Sequence, residues 1–270
     1  LRALQADMLK VEHAMGVKSQ QMEAKEGELA EWRVMTDPEP PRSPESVAAR
    51  QRLADIGIPH VPFFAAVEFG DDVPDDLRGR IESAVAEMGL LDALIVPRGF
   101  DITSLESDRI IRPEPQALRR TLADYLRPTA AADSGVSVRD IQDALASVVV
   151  VDTVSGAVSG SAPGAAPVPA SIAEGGAYRI GIVEGAIAEA EPASFIGRDA
   201  RRRLREQTIA RLAEELASIR EEYAALESEL GSLKAKQRRL DQEHAAFPQD
   251  AEASAAFDQL AHVKLEIQAH

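Results

Sequence analysis

Two heptad seams, one at each end of the chain, constrain this sequence more than any other feature. From Leu1, steps of alternately three and four residues land on Leu4, Met8, Val11, Met15, Lys18, Met22, Lys25, Leu29 and Trp32. Only the two lysines break the apolar series, and the residues between are mostly Glu, Gln, Lys and Ala, which favour helix. The same stepping from Ile209 gives Leu212, Leu216, Ile219, Tyr223, Leu226, Leu230, Leu233, Gln237, Leu240, His244 and Phe247. A stripe this narrow is a seam for one partner helix and is too thin for a broad core face. Asp37-Pro38-Glu39-Pro40-Pro41 stops the first helix near Met35, because proline breaks the hydrogen-bond ladder and restricts the residue before it. Pro248 interrupts the second, and an amphipathic stretch over 249–270 follows, with Phe257, Leu260, Val263 and Ile267 on its apolar side.

Each seam needs a partner, and the simplest partner is the other seam. Pairing an incoming arm over 1–35 with an outgoing arm over 198–247 makes an antiparallel coiled coil about 50 Å long at 1.5 Å per residue. Equal distance from the centre sets Trp32 near Ile209 and Leu1 near Leu240. The plainer alternative is two separate helices, each packed on one globular core. Leu1 falls inside a running pattern, so the sequence reads as a piece of something longer.

Between 36 and 197 the composition changes, and no lysine occurs there. Ser43-Pro44 starts a helix that Gly57 closes, with Ser as N-cap and Pro in the first turn. Residues 58–69 read as extended chain running into a buried strand. Pro74 opens a helix to about Met88, ended by Gly89, and Leu94-Ile95-Val96 is a short strand. A third helix is expected over Pro115–Leu126, and Ser137-Val138-Arg139-Asp140 is a capping box for a fourth. Val148-Val149-Val150-Val151 is the most β-prone run in the chain. Ala170–Ala173, a Glu174-Gly175-Gly176 turn and Tyr178–Val183 read as a hairpin. Residues 154–169 are small and of low complexity, and are expected to form a flexible loop. The expected fold is therefore a mixed α/β sheet with covering helices, flanked by the coiled coil.

Composition bounds the chemistry. The 270 residues include 45 acidic and 30 basic side chains, a formal charge of −15, which speaks against a general nucleic-acid coat. There is no cysteine, which removes disulfides, thiolate metal sites and a cysteine nucleophile. No apolar run reaches the roughly 18 residues of a membrane span, and no secretory leader opens the sequence, so a cytoplasmic protein is expected. The phosphate-binding G-x-x-x-x-G-K-[ST] pattern is missing, and Gly175, Gly176, Gly181 and Gly185 are spaced as turns rather than as a dinucleotide fingerprint. His13, His60, His244, His262 and His270 are scattered, with no metal spacing between them. Glu68, Asp71, Asp72, Asp75 and Asp76 form an acidic cluster, but carboxylates in a first helical turn are what the helix dipole favours in any case. No catalytic residue, metal or cofactor is assigned.

Arg198, Arg201, Arg202, Arg203 and Arg205 crowd the start of the outgoing arm. Successive helix positions point in different directions, so several of these groups must face solvent and are candidates for contact with DNA phosphates. The competing reading is salt bridging, for instance to Glu28 and Glu31.

The segments Gly57-Ile58-Pro59-His60-Val61-Pro62-Phe63-Phe64-Ala65-Ala66-Val67-Glu68-Phe69 and Gly89-Leu90-Leu91-Asp92-Ala93-Leu94-Ile95-Val96-Pro97 resemble the central region of the MukB-like SMC subunit of bacterial Wadjet systems. Tyr178-Arg179-Ile180-Gly181 and Phe195-Ile196-Gly197-Arg198 are similar to the same family, and the resemblance covers residues 30–215. It implies a hinge domain of a condensin-like ATPase that acts on DNA in plasmid defence or chromosome organisation. The ATPase heads would lie outside this chain, and kleisin, accessory and nuclease subunits would be partners of the parent, at the nucleoid. Such a hinge joins two rods as a homodimer. Val148, Val149, Val150 and Val151, or the hairpin with Gly175, Gly176 and Gly181, are the candidate strand edge for that pairing; ordinary core strands are the alternative. The rival functions are an inserted domain of another coiled-coil scaffold, Rad50-like in kind, a stand-alone DNA-contacting module, and a metal enzyme built on the acidic cluster.

Overall fold

A computed structural model of the chain describes residues 2–100, 106–117, 119–129, 134–151, 169–246 and 250–269. They fall into two compact units, Leu1–Arg33 with Ile209–His270, and Val34–Thr208. Leu1, Leu118, Phe247, Pro248 and all of the expected loop except Pro169 lie outside the described residues.

In chain order the elements begin with α1 (Arg2–Val34), α2 (Pro44–Asp55), β1 (Val61–Pro62), α3 (Phe63–Ala66), β2 (Val67–Phe69), α4 (Asp75–Glu87) and β3 (Leu94–Ile95). A 3-10 turn (Leu122–Asp124), β4 (Leu126–Pro128), α5 (Val138–Leu145), β5 (Val149–Val151), β6 (Ala170–Ala173), β7 (Ala177–Ile180) and β8 (Val183–Ala186) follow. Two long helices close the chain, α6 (Arg198–Ala245) and α7 (Asp250–Ala269). The fold class is mixed helix and sheet with long helices.

Local chemistry sets the helix ends. Ser43 Oγ accepts from Ser46 N–H at 3.2 Å at the start of α2, and Gly57 follows its end at φ +73°. Ser137 and Asp140 close a reciprocal capping box on α5, with both backbone bonds at 3.2 Å. Gly89 sits at φ +70° just past α4, a conformation that costs a side-chain-bearing residue energy.

The strands form three sheets. β1 pairs with β3 and β2 with β4, both antiparallel, and the third sheet has the order β5-β6-β7-β8. β5 and β6 run parallel, while the other two pairings are antiparallel. One core joins them: Phe63, Phe64, Ile81, Ile95, Leu122, Leu126, Ile141, Leu145, Ile172 and Ile196 are all at most 1% exposed.

Three segments differ from expectation. Extended chain over 58–69 is broken by the single turn of α3, which lets both Phe63 and Phe64 face the core while their N–H groups bond Ala93 O and Leu91 O at 2.9 Å. No α-helix forms over the described part of 115–126. Gln116 N bonds Ala146 O, Leu122 N bonds Val148 O and Val150 N bonds Arg120 O, at 2.8–3.0 Å, so residues 120–122 lie alongside β5. Leu122 and Leu126, four apart as on a helix, reach the core from a 3-10 turn and a strand instead. The hairpin's second strand also stops early: Gly181, at φ +56°, turns the chain, and the four residues of β8 return along β7.

Candidate interaction surfaces

Within the first unit α1 and α6 lie antiparallel. Leu29, Leu212 and Leu216 are buried together, packed by Met22, Trp32, Ile209 and Ala213. Val11 and Leu230 are also buried. Leu4, Met8, Met15, Ile219, Tyr223, Leu226 and Leu233 are half-buried, flanked by exposed neighbours. Leu240 is 42% exposed; Leu1, expected opposite it from the sequence, lies outside the described residues. The two lysines that interrupt the first seam carry the register. Lys18 Nζ lies 2.5 Å from Glu222 and Lys25 Nζ 3.0 Å from Glu215, with Glu26–Arg220 at 2.6 Å and Glu12–Lys234 at 3.7 Å along the same pair of helices. Hydrogen bonds to Glu28 and then Glu215 hold the Lys25 ammonium above its usual range, and those from Lys25 and Arg211 hold Glu215 below the usual carboxylate range.

The strand edges are distributed differently from expectation. β5 ends the four-stranded sheet in order, yet its outer side bonds to residues 120–122, and Val148, Val149 and Val150 are at most 5% exposed. Val148–Val151 therefore offer no free edge. Gly176 and Gly181 serve turns, at φ +90° and +56°, and Gly175 stands in the turn between β6 and β7. A Cβ at Gly175 or Gly181 would stand in open space, whereas at Gly176 it would press on Ile187, whose N–H bonds Gly176 O at 3.0 Å. Gly185 instead makes room for a side chain: it faces Tyr178 across β7 and β8, where an added Cβ would run into the phenol ring. Within the four-stranded sheet, the end strand β8 has a strand neighbour on one side only among the described residues. Ile182, at the turn before it, is 97% exposed and Val183 57%.

The five arginines separate into different roles. Arg201 is 6% exposed and points inward. Its Nε donates to Asp37, and one terminal nitrogen donates to Phe195 O at 2.8 Å and toward Phe64 O at 3.5 Å. The guanidinium also lies 5.8 Å from the centre of the Phe64 ring. Arg201 is therefore no DNA contact, because it is buried, with its Nε and one terminal nitrogen engaged inside the protein. Arg198, Arg202 and Arg203 are exposed, with Arg202 paired to Asp199 at 2.8 Å, and Arg205 is half-buried. Arg198 and Arg203 line an open cavity of about 600 Å³ together with Arg78, Glu68, Asp71 and Asp199, so the charges there alternate in sign.

Glu82 completes this region and was not singled out in the sequence. On α4, 7% exposed, it accepts from three successive backbone donors: Ser194 N at 2.6 Å, Phe195 N at 3.1 Å and Ile196 N at 2.7 Å. Burial pushes its carboxyl above the usual range, against the pull of those N–H groups and of Arg201. Gly79, one turn earlier, leaves room for the carbonyl of Glu191, so the segment 191–196 lies flat on α4. The spacing Gly79, Glu82, Ala86, small residues around one carboxylate on a single helix face, is the signal that marks it.

Three carboxylates of the acidic cluster have a cationic partner and a fourth accepts from a backbone N–H. Glu68 accepts from Arg198 N at 3.4 Å, Asp71 pairs with Arg127 at 3.4 Å, Asp75 with Arg78 at 3.6 Å and Asp76 with Arg80 at 3.5 Å. His60 Nδ1 lies 2.9 Å from Ile58 O. Among the described residues no cluster of three His, Asp or Glu is placed to hold a metal ion, and no helix is long and apolar enough to cross a membrane.

No family model matches the chain, and no curated protein does. Among solved structures it is similar to the Pyrococcus furiosus Smc hinge domain with an extended coiled coil, at 17% identity and a TM-score of 0.40, over 100% of this chain and 94% of that one. It is also similar to the Geobacillus stearothermophilus SMC hinge domain, solved as an asymmetric dimer, at 13% identity and a TM-score of 0.37, over 85% of this chain and 99% of that one.

Proposed function

We propose that this chain is the hinge module of an SMC-type protein, joining two coiled-coil rods through a homodimer. The observation that carries the reading is the pairing of α1 with α6. Lys18 on Glu222 and Lys25 on Glu215 fix two helices, separated in sequence by a whole globular unit, into one antiparallel coil. A chain that goes out on one helix and returns on its neighbour has its intervening unit as a turning point. The turning point needs a way to join a second copy, and β8 is suited to that. In a two-residue hairpin the flanking pair Ile180–Val183 is hydrogen-bonded, so the N–H and C=O of Glu184 and Ala186 point away from β7. Antiparallel pairing centred on Gly185 sets each Glu184 opposite the partner copy's alanine and keeps the two carboxylates apart.

The finer reading, a MukB-like subunit acting on DNA in plasmid defence, draws its support from the resemblance of residues 57–69 and 89–97 and from the exposed Arg198, Arg202 and Arg203. In this reading the chain itself carries no catalytic group or cofactor, and ATP hydrolysis belongs to head domains elsewhere in the parent. Kleisin, accessory and nuclease subunits are partners of that parent.

Sedimentation at tens of micromolar tests the dimer. The wild-type chain is expected to sediment as a dimer and Glu184→Pro, which removes an outward-facing donor together with the carboxylate 3.7 Å from Arg179, as a monomer. A wild-type monomer removes the hinge reading, and a dimer untouched by Glu184→Pro removes β8 from it. Duplex titration at two salt concentrations tests the DNA part. Binding that is unchanged in an Arg202→Glu/Arg203→Glu double variant sets DNA contact aside.

A further inference from the structure

Two segments carry the chain into and out of the globular unit, residues 34–43 before α2 and residues 187–197 before α6. Both are held by side-chain contacts, and the two sets of contacts meet at one guanidinium. On the incoming segment, Pro38 and Pro40 are buried, Arg42 forks onto Asp92 at 2.7 and 2.8 Å and also reaches Glu39, and Asp37 accepts from Arg201. On the outgoing segment, Glu82 takes the N–H groups of Ser194, Phe195 and Ile196, while the carbonyl of Phe195 accepts from Arg201. Phe64 lies between the two sides. Its ring meets Phe195 edge-on at 6.5 Å, and both Arg42 and Arg201 lie 5.8 Å from its centre.

We propose that Arg201 is a coupling element: its rigid guanidinium links the incoming segment at Asp37 to the outgoing segment at Phe195, so that loosening either one loosens the other. Three features support this. The guanidinium is planar and its donors are fixed in one fork, so a shift that follows Asp37 displaces the donor on Phe195 O by a comparable amount. The Arg201 side chain is 7% exposed, which leaves little water to replace a lost partner, while that of Asp37 is 59% exposed and is the member free to leave. The backbone that Arg201 grips by its carbonyl is the same backbone that Glu82 grips by its N–H groups one residue to either side. The inference stands on groups within Val34–Thr208 alone and does not depend on the hinge reading.

The test is amide hydrogen exchange on the whole chain, followed residue by residue, for wild type, Asp37→Asn, Arg201→Lys and the double variant. Asp37→Asn changes an exposed carboxylate and keeps the fold. It is expected to speed exchange at Ser194, Phe195 and Ile196 by about fivefold or more, far along the chain from the substitution. Arg201→Lys keeps the charge and removes the fork, and in its background Asp37→Asn is expected to add nothing at those three amides. Acceleration confined to residues 34–41, or effects of the two substitutions that simply multiply at 194–196, would overturn the coupling.

Discussion

Removing the acceptor on Glu82 is the sharpest probe of how the globular unit holds its last segment. In Glu82→Ala three backbone donors lose their partner at once. Ile196 is 1% exposed, so its N–H finds no water, while Ser194 and Phe195 are half-buried and regain some hydration. A buried unpaired donor costs about 1–3 kcal/mol and a partly hydrated one less, so the three together cost about 3–5 kcal/mol. Part of that is returned, because the buried carboxylate itself is held at a desolvation cost, which its raised pKa records. A net loss of about 3 kcal/mol, or about 6–12 °C in Tm for a unit of this size, is expected by urea and thermal unfolding. The pH dependence isolates the carboxylate. Its pKa in the folded protein lies above the unfolded value of 4.5, chiefly through burial, so the folded state binds this proton more tightly. That contribution is complete below the unfolded pKa and disappears as pH rises through the folded one. The stability of wild type relative to Glu82→Gln, measured from pH 4 to 8, is therefore expected to fall as pH rises from the ordinary carboxylate value. A gap that is flat, or that widens with pH, would refute the reasoning, because the N–H groups and Arg201 would then match or outweigh burial.

Three further outcomes follow from the packing. Ser171 Oγ is buried without a hydrogen-bond partner among the described residues, so Ser171→Ala is expected to stabilise by about 1 kcal/mol in urea unfolding, and a loss of stability would mean the hydroxyl is satisfied. Gly185→Val forces the Tyr178 ring off the core it packs on and is expected to cost about 1–3 kcal/mol, part of it recovered by adding Tyr178→Ala; additive losses would contradict the ring's place over Gly185. Leu212→Ala, at a seam position 1% exposed, is expected to cost about 2–3 kcal/mol and to lower helicity by circular dichroism at elevated temperature, whereas Leu240→Ala at the exposed end leaves both within error.

What the sequence made legible was local or repeated, and what it hid was neither. The arms announce themselves because one stripe recurs over many turns, and the caps at Ser43 and Ser137 because each is completed within four residues. Lys18 and Lys25 look like blemishes in the first seam, and only the facing Glu222 and Glu215 turn them into the pairs that set register. Residues 115–126 mislead for the opposite reason. Leu122 and Leu126 keep helical spacing, but the backbone there is claimed by Ala146, Val148 and Val150, and no window along the chain contains that competition. The same bonds close the outer side of β5, which is why its valines read as an available edge and are not one. Among the arginines, position around α6 decides: Ala200 and Arg201, then Thr208 seven residues on, are buried, with Ile196 one turn before, so a covered stripe runs through 201 and passes 198, 202 and 203 by. An arginine on such a stripe must find its partners indoors. Asp37, Phe64 and Phe195, drawn from three separate segments, are those partners, so charge counted along the chain overstated what this surface presents to phosphate.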